Sequence, residues 1–240
     1  MDYTFRFTPV FSRVDQLLDG LVVTLWITAL AIAAGFALGV LGALVARSPR
    51  VWARRIVHCY VEVVRNTPLL AQLFFVYFGL PGIGLRLDAF VAAIITLVVN
   101  LGAYTTEIVR GGIDSVPRGQ IDAGTALGLT PVQVFFLIVL KPALQTMFPA
   151  LTSQFTLLML STSILSQIGV TDLFHMASLI DSTTYRSFEV YTVVCGFYLA
   201  LALAFRLLFA LIYFLVFARS APMRRSRDAP LHPEPIVVTP

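Results

Sequence analysis

Residues Arg118 to Pro142 read RGQIDAGTALGLTPVQVFFLIVLKP. They set small, polar and turn-forming residues inside an otherwise very apolar chain. A segment that only had to cross a bilayer would have no use for them. Pro117 suits the first turn of a helix, where its missing N–H costs little. Gln120 to Leu127 are adequate helix formers, and Gly128 suits a left-handed C-terminal cap. Thr130-Pro131 reads as an N-cap followed by proline at the first helical position. The pattern predicts a short helix, a tight turn and a new helix heading back to the membrane. Ala123, Gly124 and Ala126 keep the short helix slim, and Ile121, Leu127 and Leu129 are its apolar anchors. Such a helix either seats in a groove on a partner or lies on lipid headgroups. Its small apolar face and few basic residues favour the partner.

The surrounding chain fixes the solvent. Of 240 residues, 58% are hydrophobic and 12% charged, about half the charged fraction of a soluble domain. Five apolar runs approach the roughly 20 residues that span a bilayer core: about 21–45, 57–80, 89–109, 132–168 and 190–217. Arg65-Asn66-Thr67-Pro68 breaks the second. The fourth is too long for one straight helix and carries Lys141-Pro142 and Pro149. Long apolar runs without strand alternation indicate helices, since backbone at membrane depth must satisfy its own hydrogen bonds. The fold class is therefore an all-α membrane protein with five transmembrane helices.

Basic residues give the orientation. Arg47, Arg50, Arg54, Arg55, Arg110, Arg118, Lys141, Arg219, Arg224, Arg225 and Arg227 fall on one side. Arg6, Arg13, Arg86 and Arg186 fall on the other. The bias predicts an N-terminus outside and a C-terminus in the cytoplasm, which puts 118–142 on the cytoplasmic side. The net charge of +4 is a topology signal and not a nucleic-acid one. The N-terminus has no basic region followed by a short apolar core, so it does not read as a cleaved signal peptide. Residues 1–218 form one transmembrane domain, with a core of about 17–217. Residues 219–240 are a Pro-rich cytoplasmic tail expected to be disordered. Cys59 and Cys195 fall in or beside spans and read as buried small apolar side chains, and no spacing suggests a metal or a disulfide.

The short loop resembles the signature loop of permease subunits of ABC importers. That loop reads Glu-Ala-Ala, three residues, Gly, nine residues, Ile-x-Leu-Pro. Here the positions are Asp122-Ala123-Gly124, Gly128 and Ile138-x-Leu140, with Lys141 in the usual proline position and Pro142 one residue later. Residues 65–81, RNTPLLAQLFFVYFGLP, resemble the second-span motif of polar amino-acid uptake permeases. Ala103-Tyr104-x-x-Glu107-Ile108-x-Arg110-Gly111-Gly112-Ile113 is similar to their third-span motif, and 166–173, SQIGVTDL, to the segment after span four. A Lys common in the family's fourth span is replaced by Leu160, ahead of Ser161-Thr162-Ser163.

The resemblance implies a permease subunit of a binding-protein-dependent amino-acid importer in the bacterial inner membrane. Gln120, Asp122, Ala123, Gly124, Gly128 and Leu129 would then couple it to a cytoplasmic ATPase. It also implies a second permease subunit, identical or related, and an extracytoplasmic substrate-binding protein near 81–88 and 172–189. No GxxxxGK[ST] loop is present, so ATP and Mg are expected on the partner and no cofactor on this chain. No catalytic constellation stands out, and the chain does not read as an enzyme.

Ionisable groups inside a membrane are costly and mark function or structural pairing. Glu62 with Arg65, and Glu107 with Arg110, are three apart on one helix face. Either they are neutralised structural locks or they line the solute route. In the second case Glu107 and Arg65 would meet a zwitterion, and Asn66, Thr67, Tyr104, Ser161 and Thr162 would add neutral hydrogen bonds. The competing function class is an ion-coupled transporter or channel using Glu62, Glu107 and Arg65. Gly35, Gly39 and Gly42 read as a close helix contact.

Overall fold

The computed structural model describes residues 4–217, so the expected tail at 219–240 lies outside the described residues. Ten α-helices appear: α1 (Thr8–Phe11), α2 (Val14–Ala46), α3 (Val51–Arg65), α4 (Leu69–Phe74), α5 (Ala89–Asp114), α6 (Arg118–Ala126), α7 (Pro131–Val134), α8 (Leu140–Ser161), α9 (Leu173–Thr184) and α10 (Ser187–Phe217). No strand occurs among the described residues. Four helical runs are long and apolar enough to cross a membrane: Val14–Ala46, Ala89–Asp114, Pro131–Ile168 and Ser187–Phe217. A broken pair, Val51–Arg65 with Leu69–Ile83, makes a fifth.

The first, third and fifth runs fall where the apolar pattern puts them, with longer ends. The second does not cross as one rod. Its halves meet at 107°, because Pro68 has no N–H and Asn66 and Thr67 leave the helix. The carbonyls freed at that break are taken up locally. Thr67 Oγ1 donates to Val63 O at 2.9 Å and Gln72 Nε2 to Val64 O at 2.7 Å, while Glu62 O accepts from both Asn66 N at 3.1 Å and Asn66 Nδ2 at 2.9 Å. Asn100 of α5, almost buried, donates to Gln72 Oε1 at 3.0 Å and holds it in place. Lipid offers no alternative partner for such groups.

The fourth run stays helical throughout, although two prolines interrupt its sequence. Residues Phe135–Val139 form a widened π-helical turn directly before α8. Pro142 has no N–H to give to the Ile138 carbonyl four residues back, and inserted turns of this kind absorb such mismatches. Pro149 sits inside α8 without ending it.

The core is a helix–helix seam that small residues make possible. A methyl at Gly35 would stand 2.9 Å from Leu101, and one at Gly39 or Gly42 would overlap Thr105 or Thr106. α2 and α5 therefore pack backbone to backbone, the close approach that small residues allow in membranes. Thr106 Oγ1 adds a contact to Gly39 O at 3.2 Å, shared with Gly102 O at 2.8 Å. α8 closes the other side of α5 through Ala143, Met147, Leu151, Phe155 and Leu158.

A second, smaller core lies at the end where α2 begins. Leu17, Leu173, Ala177, Ile180 and Val190 seat α9 against α2 and α10. Sequence patterning did not separate α9 from the loop around it. Asp172 caps it, its Oδ1 accepting from His175 N at 2.9 Å, and Leu173 N donates to Thr24 Oγ1 of α2 at 3.1 Å. Asp172 is fully buried and its Oδ2 has no partner. Burial pushes this carboxyl up from the ordinary 3.8 to about 7. Arg13 reaches Thr183, and Glu189 Oε1 accepts from Arg6 N at 3.0 Å. Cys59 and Cys195, expected as buried small apolar side chains, are exposed on the surface of the single chain.

Candidate functional site

α6 and the turn after it stand at the opposite end, between α5 and α7. Gly128 takes φ +78°, a conformation glycine adopts without strain, and ends α6 with Leu129 N bonded to Gly124 O at 3.2 Å. Thr130 then starts α7 with a capping box: Gln133 N donates to Thr130 Oγ1, and Thr130 N to Gln133 Oε1 at 2.8 Å. The local chemistry read from 117–133 is therefore present, with α6 beginning at Arg118 directly after Pro117.

The two faces of α6 differ from the expectation. Gly124 is buried, and a methyl there would overlap Ile138 Cδ1 and stand 3.3 Å from Val134. Ile121 and Leu129 also turn inward, onto the main core. These three anchor α6 to the rest of the chain and are not offered outward. The outward face carries Gln120, Asp122, Ala123, Gly128 and Leu127, the last 81% exposed. The short helix is thus packed against the chain on one face and presents one large apolar side chain on the other.

Behind α6 a line of charges joins three helices. Arg47 at the end of α2 pairs with Asp114, which Arg110 approaches at 3.5 Å. Arg110 makes a two-pronged contact with Glu107, at 3.0 and 2.8 Å. Arg65, across on α3, lies 3.7 Å from Glu107 and over the Tyr104 ring at 5.3 Å. Glu62 does not pair with Arg65 as its spacing suggested; its carboxylate faces His58 at 3.9 Å and Asn66 at 3.0 Å. The break at Asn66 frees Arg65 to turn toward α5. Glu62, Glu107 and Arg110 line a cavity of about 320 Å³ between α3 and α5.

Of the other sequence candidates, Thr67, Ser161 and Thr162 lie apart from this cluster, and Asn66 meets it only at Glu62. Asn66 and Thr67 are spent on capping the broken α3. Thr162 is fully buried and donates to Met159 O at 2.7 Å. Ser161 is half-buried and donates to Leu157 O at 2.8 Å. Gln72 and Asn100, which hold the break, were not singled out from the sequence; a glutamine and an asparagine inside apolar runs were the available signal. Arg206 was passed over too, an arginine in the last apolar run. No cluster of metal-ligating side chains occurs among the described residues.

Comparison with known proteins gives this arrangement its setting. Residues 35–225 match the model of the binding-protein-dependent transport system inner membrane component family. The chain is 35% identical over 202 residues to the glutamine transport system permease protein of Escherichia coli strain K12, covering 83% of this chain and 92% of that one. It is 38% identical over 197 residues to a probable glutamine ABC transporter permease protein of Bacillus subtilis strain 168, covering 81% and 90%. A crystal structure of an amino acid ABC transporter with histidines superposes at TM-score 0.83 with 34% identity, over 88% of this chain and 98% of that chain. An inward-facing methionine ABC transporter shares the fold at TM-score 0.69 and 22% identity, over 84% and 96%. The chain belongs to the family of inner membrane components of binding-protein-dependent transport systems, as a multi-pass permease subunit.

Proposed function

We propose that this subunit carries a polar amino acid of the glutamine kind into the cytoplasm, by alternating access driven by ATP hydrolysis on a separate ATPase. The relatives named as glutamine permeases and the amino acid ABC transporter support the solute class. The observation that carries the coupling is α6, pinned from behind by Gly124 against Ile138 while Asp122 and Leu127 face outward. A helix seated in a moving ATPase must pass force to the spans without folding away, and this packing provides that stiffness. The excess of Lys and Arg on the α6 side supports a cytoplasmic α6 and an outer N-terminus.

In this reading a second permease subunit, identical or related, completes the pathway. An extracytoplasmic binding protein delivers solute at the α9 end, and lipid covers the outer apolar surface. ATP and Mg bind the ATPase, so this chain is a mechanical part and not an enzyme. Arg65, Tyr104 and Glu107 form a lock between α3 and α5 at the inner end of the route, one that must open and re-form as the helices move. No comparison favours the ion-coupled alternative.

The test is purification with the cognate ATPase and binding protein, followed by uptake of L-glutamine into proteoliposomes. Uptake is expected only with ATP, and Asp122→Lys is expected to cut ATPase copurification and uptake together by about tenfold or more. Uptake without ATP, or full coupling in the Asp122→Lys variant, rejects the proposal.

A further inference from the structure

The last membrane helix carries a charge that none of the foregoing uses. Arg206 lies in α10, about 28 Å along the axis from Ser187 and about 16 Å from Phe217 at the usual helical rise. Apolar residues precede and follow it. An arginine at such depth is unfavourable against lipid and belongs where a counter-charge, protein or water meets it. Among the described residues Arg206 has no ion pair, no hydrogen bond and no aromatic face, unlike Arg65 and Arg110, whose charges are committed to Glu107 and Asp114.

The side chain is exposed and opens onto a groove of about 800 Å³ between α8 and α10. The facing wall presents Thr152, Ser153 and Thr156. Thr152 donates to Pro149 O and Thr156 to Thr152 O, both at 2.9 Å. Their oxygens remain able to accept, and the Ser153 hydroxyl makes no hydrogen bond among the described residues. Apolar side chains, Leu157 and Phe209 among them, complete the walls. No acidic side chain lines the groove, so its occupant must bring the negative charge. A fixed cation beside a row of hydroxyls suits a small polar anion. Lipid tails satisfy neither, and phosphate headgroups lie outside the hydrocarbon core, roughly 15 Å from its centre.

We propose that the α8–α10 groove is a wall of the solute route, and that the Arg206 guanidinium receives the α-carboxylate of the transported amino acid. A guanidinium matches a carboxylate with two parallel N–H donors, and the hydroxyls of α8 accept from the ammonium group beside it. The inference rests on the amino-acid import reading. It adds a receiving group on α10, away from the Arg65–Glu107 cluster.

The test begins with Cys59→Ala and Cys195→Ala, then adds Leu157→Cys, at an exposed apolar wall of the groove, as a reporter with Arg206 intact. The reporter is reacted with a charged, membrane-impermeant thiosulfonate in proteoliposomes holding the ATPase and binding protein. Water-borne labelling is expected, and L-glutamine should slow it about fivefold or more. Arg206→Gln should abolish that protection and lower uptake by roughly 10- to 100-fold, the size of a lost charged hydrogen bond. Arg206→Lys should fall between, and ATPase copurification should match the parent in both. Labelling only by a bilayer-soluble maleimide would place the groove against lipid. No labelling at all would bury it between subunits, and labelling that L-glutamine never slows would remove the carboxylate contact. Each of these three results overturns the inference while parental uptake stays normal. A parent that takes up no L-glutamine with ATP overturns the import reading itself, and the inference with it.

Discussion

Gly124 shows how much one missing methyl can decide. On the sequence it reads as part of a slim docking face. In the fold it is the point where α6 touches Ile138 and Val134. Gly124→Val forces that contact apart, and overpacking of this kind costs about 1–3 kcal/mol. The expected outcome is a lower thermal midpoint together with weaker ATPase copurification. Gly119→Ala, on the same helix but with nothing within 4 Å of the added methyl, should leave the midpoint unchanged or raise it slightly. Equal loss in both variants would remove the Ile138 contact as the cause, since helix propensity alone favours alanine over glycine.

At the scale of elements, the break between α3 and α4 turns the chain against the middle of α5. Pro68 turns the chain, Gln72 and Asn100 hold the turn, and Arg65 is thereby aimed at Glu107 on α5. Side-chain exposures of 40% and 29% for this pair mean that water screens it in part, so it adds little static stability, about 0–1 kcal/mol. A pair this weak can open and re-form at little cost. Glu107→Gln removes the carboxylate that both Arg65 and Arg110 share. Uptake should drop by several-fold with ATPase copurification and thermal midpoint near the parent. A large fall in midpoint with uptake per folded protein unchanged would make the cluster a structural brace only.

At the scale of the molecule, two cores are tied together at Asp172, where α9 seats on α2. Its carboxyl is held near 7, against an ordinary 3.8, by burial. Between about pH 4 and 7 the unfolded chain has lost this proton and the folded chain keeps it. The folded state then binds more protons, so stability falls as pH rises through that window. The site's contribution is fully present below about pH 4 and lost above about 7. Asp172→Asn keeps a cap oxygen for His175 N and removes the titration. Its thermal midpoint should vary less between about pH 5 and 8 than the parent's, and should exceed the parent's at the upper end. Parallel profiles for the two proteins would show that Asp172 is ionised throughout.

Much of this protein is decided locally and can be read along the chain. Apolar length sets the spans, because backbone in lipid must bond to itself. Gly128, Thr130 and Pro131 end one helix and start the next through backbone preferences that need no neighbour. The Gly35, Gly39 and Gly42 row announces a close contact because small residues there have little other use. Tertiary structure alone decided which faces look inward. Gly124, Ile121 and Leu129 became anchors because α7 and the widened turn after it lie behind α6. Arg65 abandoned its helical neighbour Glu62 because Pro68 ended the helix and α5 offered Glu107. α9, whose pattern is weak, exists because α2 and α10 cover it. Helical period reports which residues share a face, but which face meets a partner depends on residues distant in sequence, and only the folded chain brings those together.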